Sequence, residues 1–334
     1  MSLQATLDRS VPDRLQRGWR LLTAPVWNHD THRLRAPLRA LLPLVITFIA
    51  FALVVTFVRG RFEHPVREGL EFSLMAVVLV AAVVLSARLF DRRPAAEYGL
   101  TFDSEWVRSF AVGGLVATIA NAGTMLVALA AGWATVTGFF EGSDALPFLP
   151  AILLVFVYVG VLASWEEFVF RGALLKNLAE GADGYVPRWA AVGIALVLST
   201  AVFAFMHSGK LTSLGGYGYY LLAGLIFGSV YVLTGNLALP VGFHVFYNFT
   251  MSAVFGLGVS QRTPEIVVLE MAGPSLWVGE EGLLRVTFAA LGGILLVLYI
   301  RWRDGHLGLA EQITRWTPRD ANASDDQAPP ATDA

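Results

Sequence analysis

Apolar residues run along this chain in long blocks separated by short polar turns. A helix needs roughly 20 predominantly apolar residues to cross a ~30 Å hydrocarbon core. The chain offers that length eight times, over about 38–58, 69–90, 107–134, 147–177, 188–207, 217–234, 237–257 and 282–301. From Leu41 to Val58 and from Phe72 to Ala87 no side chain is charged, and those two blocks alone point to a lipid environment. The strict alternation over ~10-residue segments that marks a membrane barrel is absent. The pattern therefore predicts an all-α, polytopic membrane bundle of about eight transmembrane helices. The first apolar block starts near residue 38 and is long enough to span the bilayer rather than be removed as a signal peptide.

Composition sharpens this picture in three places. Only 15% of the residues are charged, against about 25% in an ordinary soluble domain. There is no cysteine, which removes disulfides, thiolate metal ligands and a cysteine nucleophile together. The formal net charge of −2 averages a basic front and an acidic back, and nothing in the pattern calls for a nucleic-acid partner. In the arm over 1–37, Arg9, Arg14, Arg17, Arg20, Arg33 and Arg35 accompany Leu7, Val11, Leu15, Trp19 and Leu22 at helical spacing. That suits either a helix lying on anionic lipid or a solvated arm. Arginines in alternate loops place the N- and C-termini on the cytoplasmic side, with Arg59, Arg61 and Arg67 as the exception. The transmembrane domain then covers 38–303. The polar stretch 304–334, rich in Asp, Ala and Pro towards its end, is expected to be largely disordered. Gly224 and Gly228 form a small-xxx-small pair that reads as helix packing.

Ionisable groups inside apolar helices cost about 2.5–3.5 kcal/mol each at the bilayer centre, so they need a reason. The fourth block carries Ser164-Trp165-Glu166-Glu167-Phe168-Val169-Phe170-Arg171. Glu167 and Arg171 are four apart and share a helix face, where they can pair. Glu166 points about 100° away and lacks that local partner. Of six histidines, His29, His32, His64 and His306 fall in arms or loops. His207 closes the fifth block, and His244 lies in the seventh with Asn248 one turn on. Taken singly, each cluster could be a structural clamp, an interfacial imidazole or an interhelical bond. Three of them in three long helices favour one shared polar cavity, since buried polar groups must find partners. A carboxylate, two imidazoles, an amide and a guanidinium can activate water and stabilise an oxyanion, or hold a metal.

Glu166-Glu167-x-x-x-Arg171, Phe203-x-x-x-His207 and His244-x-x-x-Asn248 together resemble the three motifs of the CPBP intramembrane proteases. That family includes the CAAX prenyl endopeptidases of the Rce1 type and bacteriocin-processing or immunity (Abi) proteins. Glu97-Tyr98-Gly99-Leu100 is similar to the family's usual lead-in, and the resemblance covers roughly 90–255. It implies a helical bundle with an active site inside the membrane, acting on a membrane-associated, prenylated or unprenylated, peptide or protein. By position it implies Glu166 as general base with His207 assisting, His244 and Asn248 as oxyanion donors, and Glu167 and Arg171 as orienting groups. It also implies a candidate zinc set of Glu166, His207 and His244 if a metal is present, although no His-Glu-x-x-His occurs and a Glu–His water mechanism needs no ion. No Gly-x-Ser-x-Gly elbow is present. Two readings from other classes remain: a non-catalytic immunity or scaffold protein keeping the cluster as a clamp, and a small proton-coupled transporter. A transporter usually shows paired half-repeats, and the sequence has none.

Overall fold

The computed structural model describes residues 13–63, 66–142, 146–208, 214–258, 263–279 and 282–318. Helix α1 (Asp13–Thr23) precedes a short hairpin of β1 (Trp27–Asn28) and β2 (Arg33–Leu34). It leaves Trp19, Leu21 and Leu22 exposed. The bundle follows: α2 (Ala36–Arg59), α3 (Val66–Leu85) with a π-helical end at Ser86–Phe90, and α4 (Ser104–Ala130), N-capped by the Asp103 carboxylate on the Trp106 amide. After β3 (Ala134–Glu141) comes the longest element. Helix α5 (Phe148–Glu167) runs through a π-helical segment, Phe168–Leu175, into α6 (Lys176–Ala182). Then come α7 (Arg188–Met206), α8 (Leu214–Thr234), α9 (Ala238–Phe249) with a π-helical end at Thr250–Val254, β4 (Glu265–Met271) and α10 (Leu283–Asp304). Strands β3 and β4 pair antiparallel, with Glu141 opposite Glu265.

The all-helical polytopic architecture is as the hydropathy pattern predicts, with one difference in count. Among the described residues, seven helices are long and apolar enough to cross a membrane. The predicted span 237–257 is not one of them. Helix α9 is short, and every residue from Ala238 to Val245 is buried. It is an inner helix, and its apolar character comes from burial in protein rather than contact with lipid.

What lets α9 occupy the centre is its approach to α4, the most extensive helix contact in the molecule. A Cβ on Gly113 would lie 2.4 Å from the Leu239 carbonyl oxygen, and one on Gly242 would lie 2.0 Å from that of Phe110. Only glycine admits backbones this close. Gly224 and Gly228 serve the same end on a smaller scale, setting α8 against Thr200 and Leu196 of α7.

At one end of the bundle, a buried ion cluster ties distant segments together. Arg33 and Arg39 share the Glu180 carboxylate at 2.8 and 3.0 Å, Arg93 pairs with Glu180 and Asp91, and Tyr98 donates to Asp91. Burial alone would lower the affinity of the Arg93 guanidinium for its proton, but the Asp91 and Glu180 carboxylates outweigh it and hold the group firmly cationic. The stretch placed in a disordered tail from 304 is packed here as far as 318. Ile313 is buried, Trp316 donates its indole N–H to the Asp91 carbonyl at 3.0 Å, and the Arg33 guanidinium lies 3.8 Å from the Trp316 ring. One buried apolar side chain and an indole dock it. The acidic remainder, 319–334, lies outside the described residues, as do residues 1–12 of the arm.

Candidate active site

Glu166 and Glu167 close α5, and the chain passes directly into the fully buried π-helical turn that follows. Such turns occur as local bulges in α-helices, frequently at functional sites. Arg171 sits within this one. Its Nη1 is 3.3 Å from Glu167 Oε1, and its Nη2 donates to the Gly224 carbonyl at 3.4 Å. The guanidinium also lies 4.6 Å from the Phe203 ring and 5.0 Å from that of Phe227. Both charges of the pair are buried, so each is the other's counterion in place of water, and the aromatic faces add to the cation's side.

The two imidazoles are oriented alike. His207 sits just past the last residue of α7, where carbonyls lack helical partners, and its Nδ1 donates to the Phe203 carbonyl at 2.8 Å. A carbonyl only accepts, so Nδ1 carries the proton and Nε2 faces away. In α9, His244 Nδ1 is 2.8 Å from Glu167 Oε1. With Glu167 ionised as the partner of Arg171, this nitrogen too is the donor. The outcome is that both Nε2 atoms turn to the same oxygen, each 3.8 Å from Glu166 Oε2. Aromatic rings fix the planes. Tyr220 stacks on His207 at 4.3 Å and Phe227 on His244 at 4.5 Å.

These groups border a cavity of about 410 Å³, within the range of small-ligand sites. Glu166, His207, His244 and Asn248 line it, so four of the six residues singled out in the sequence meet at its wall. Glu167 and Arg171 stand behind them, Glu167 through His244. The Asn248 amide makes no hydrogen bond with the described residues and opens towards the cavity. Glu166 Oε2 is likewise buried without a hydrogen-bond partner among them, since 3.8 Å exceeds hydrogen-bond reach.

The same geometry tests a zinc site. Tetrahedral ligands 2.0–2.1 Å from the ion lie roughly 3.3 Å from one another. Glu166 Oε2 stands farther than that from both imidazoles, and among the described residues no three His, Cys, Asp or Glu side chains are grouped to hold an ion. The residues as placed do not fit a zinc shell.

Two charged residues at or near this centre escape the sequence motifs. Arg285 of α10 lines the cavity beside Tyr219. Glu71 of α3 is buried and bonded to Arg59 at 2.9 Å. Each lies inside a predicted apolar span, and the cost of burying a charge there is the signal that singles them out.

The fold and site together define a polytopic helical membrane protein whose polar groups converge within its apolar helices. Residues 146–250 match the family model described as Rce1-like, type II CAAX prenyl endopeptidase, which supports an intramembrane protease at family level. The match takes in all three motifs and agrees with the resemblance read from them. No curated protein and no solved structure matches the chain.

Proposed function

We propose that the protein is an intramembrane endopeptidase that hydrolyses a peptide bond of a membrane-associated substrate with a Glu166-activated water. The observation that carries this reading is one carboxylate oxygen facing two imidazole Nε2 atoms across a cavity enclosed by apolar helices. In this reading Glu166 Oε2 takes a proton from water as its oxygen attacks the carbonyl carbon. The Asn248 amide donates to the developing oxyanion. His244 joins it when protonated at Nε2, an imidazolium that Glu167 supports through Nδ1. Glu166 then passes its proton, with His207 assisting, to the departing amine, and the C–N bond breaks. Glu167 and Arg171 orient the site. No step passes through a metal, and the substrate is a membrane-associated peptide or protein, prenylated or not. Both termini are kept on the cytoplasmic side.

The test compares the proteomes of membranes carrying the wild-type protein or Glu166→Gln at equal abundance. An amide cannot take the proton, so new peptide termini should appear with the wild type alone. Identical termini in both membranes would favour the scaffold reading.

A further inference from the structure

Asn121 lies in α4, outside the 146–250 family match and outside all three motifs. It is fully buried. Its amide reaches across to α9, where Nδ2 donates to the Tyr247 carbonyl at 2.8 Å and to Thr250 Oγ1 at 2.9 Å. A carbonyl only accepts, so the nitrogen end of the amide faces α9. The Thr250 hydroxyl donates its one proton to the Phe246 carbonyl at 2.6 Å, so towards Asn121 it too is an acceptor. Both N–H groups of the Asn121 amide are therefore committed. They land on either side of Asn248, one on the residue before it and one two residues after.

That stretch is where α9 stops being an α-helix. Thr250 opens the π-helical end, and the Phe255 N–H bonds back to the Thr250 carbonyl, one residue further than an α-helical bond reaches. An extra residue in such a turn displaces the side chains around it by roughly 100° of arc. With the turn opening at Thr250, His244 and Asn248 lie four apart on regular helix and share a face, and both line the cavity. Were the turn to open before Asn248, His244 would stay on Glu167 and the Asn248 amide would swing off the cavity wall. From this geometry we propose that Asn121 is a positioning residue for Asn248. Its two bonds fix where the α-helical ladder ends and so hold the Asn248 amide towards the oxyanion. The inference rests on the peptidase reading above, in which Asn248 donates to that oxyanion. Asn121 is not among the described residues that line the cavity, so it acts from behind α9 and through Asn248.

The chain has no cysteine, so a single introduced thiol reports its own surroundings. The full-length protein in detergent carries Asn248→Cys, or Ala223→Cys on the α8 side of the same cavity, each with and without Asn121→Leu. Alkylation by iodoacetamide is timed. Asn121→Leu should slow alkylation at 248 about tenfold, because a side chain turned from the cavity reaches it only as a minor state, and should leave 223 unchanged. An unchanged or faster rate at 248, or an equal change at both positions, overturns the proposal. Turnover of a substrate identified from the membrane comparison gives the second readout. Asn121→Leu should lower kcat about 10²-fold, as a small misplacement at the reacting centre does, with KM unchanged. In an Asn248→Ala background it should cost nothing further, because it acts through that residue. Additive losses mark a merely structural role and overturn the proposal, as does normal turnover by Asn121→Leu. Thr250→Val removes one of the two acceptors and should move both readouts the same way by less. It decides the matter if Asn121→Leu does not fold, and wild-type values for it then overturn the proposal. Slowed alkylation at 248 with no hydrolysis by the wild type would sink the peptidase reading alone. Hydrolysis that needs Glu166, with alkylation unchanged, would sink the positioning role alone.

Discussion

Glu167 Oε1 holds two groups at once, Arg171 at 3.3 Å and His244 at 2.8 Å. The local half of this arrangement was readable in the sequence, because a Glu and an Arg four apart on a helix share a face. The contact with His244 spans 77 residues of chain, and no local pattern encodes it. Only the shared cost of burying both groups pointed to it. Removing one member of a buried pair leaves the other's charge uncompensated, at about 3–5 kcal/mol. Arg171→Ala should therefore lower the thermal unfolding midpoint of the purified protein markedly, and Glu167→Gln in the same background should recover part of the loss. Unfolding of Arg171→Ala at the wild-type temperature would contradict the orienting role. Arg285 shows the opposite case. It was visible as a charge inside a predicted span, but it belongs to none of the three motifs, and only the fold brings it to the cavity wall.

Among the elements, α9 departs most from the hydropathy reading. Its composition matches that of a span, and hydropathy does not distinguish a helix wrapped by protein from one wrapped by lipid. The distinguishing residues are Gly113 and Gly242, whose role depends on a partner helix more than 100 residues away in the chain. A methyl group at Gly242 would fall 2.0 Å from a backbone oxygen that cannot rotate aside. Gly242→Ala should destabilise the protein by about 1–3 kcal/mol, as overpacked cores do, and should disturb His244 two residues on. Gly193→Ala is the control, because nothing lies within 4 Å of its added Cβ, and it should match or exceed wild-type stability. Equal stability of the two variants, measured by thermal unfolding in detergent, would remove the close α4–α9 approach as the device that centres α9. The order and most boundaries of the remaining helices were legible from apolar blocks. The β3–β4 pair was not, because β3 is largely exposed, β4 is only half-buried, and the two are separated by more than 120 residues.

For the molecule as a whole, the account places a water-activating carboxylate inside a membrane bundle, at the wall of a cavity enclosed by apolar helices. The spacing of Glu166 from both imidazoles argues against a tight metal cage. Protein purified in mild detergent should accordingly hold far less than one transition-metal ion per chain by elemental analysis. One zinc per chain, with chelator-sensitive activity restored by zinc, would replace the mechanism and leave a protease. The most direct measurement is the rate at which purified protein, reconstituted in lipid, cleaves a substrate identified from the membrane comparison, with wild type and Glu166→Gln side by side. A positioned general base contributes roughly 10²–10⁴-fold. The account predicts a loss of at least that order in kcat for Glu166→Gln, with substrate binding and thermal stability unchanged. Turnover by Glu166→Gln within a few-fold of wild type would contradict it.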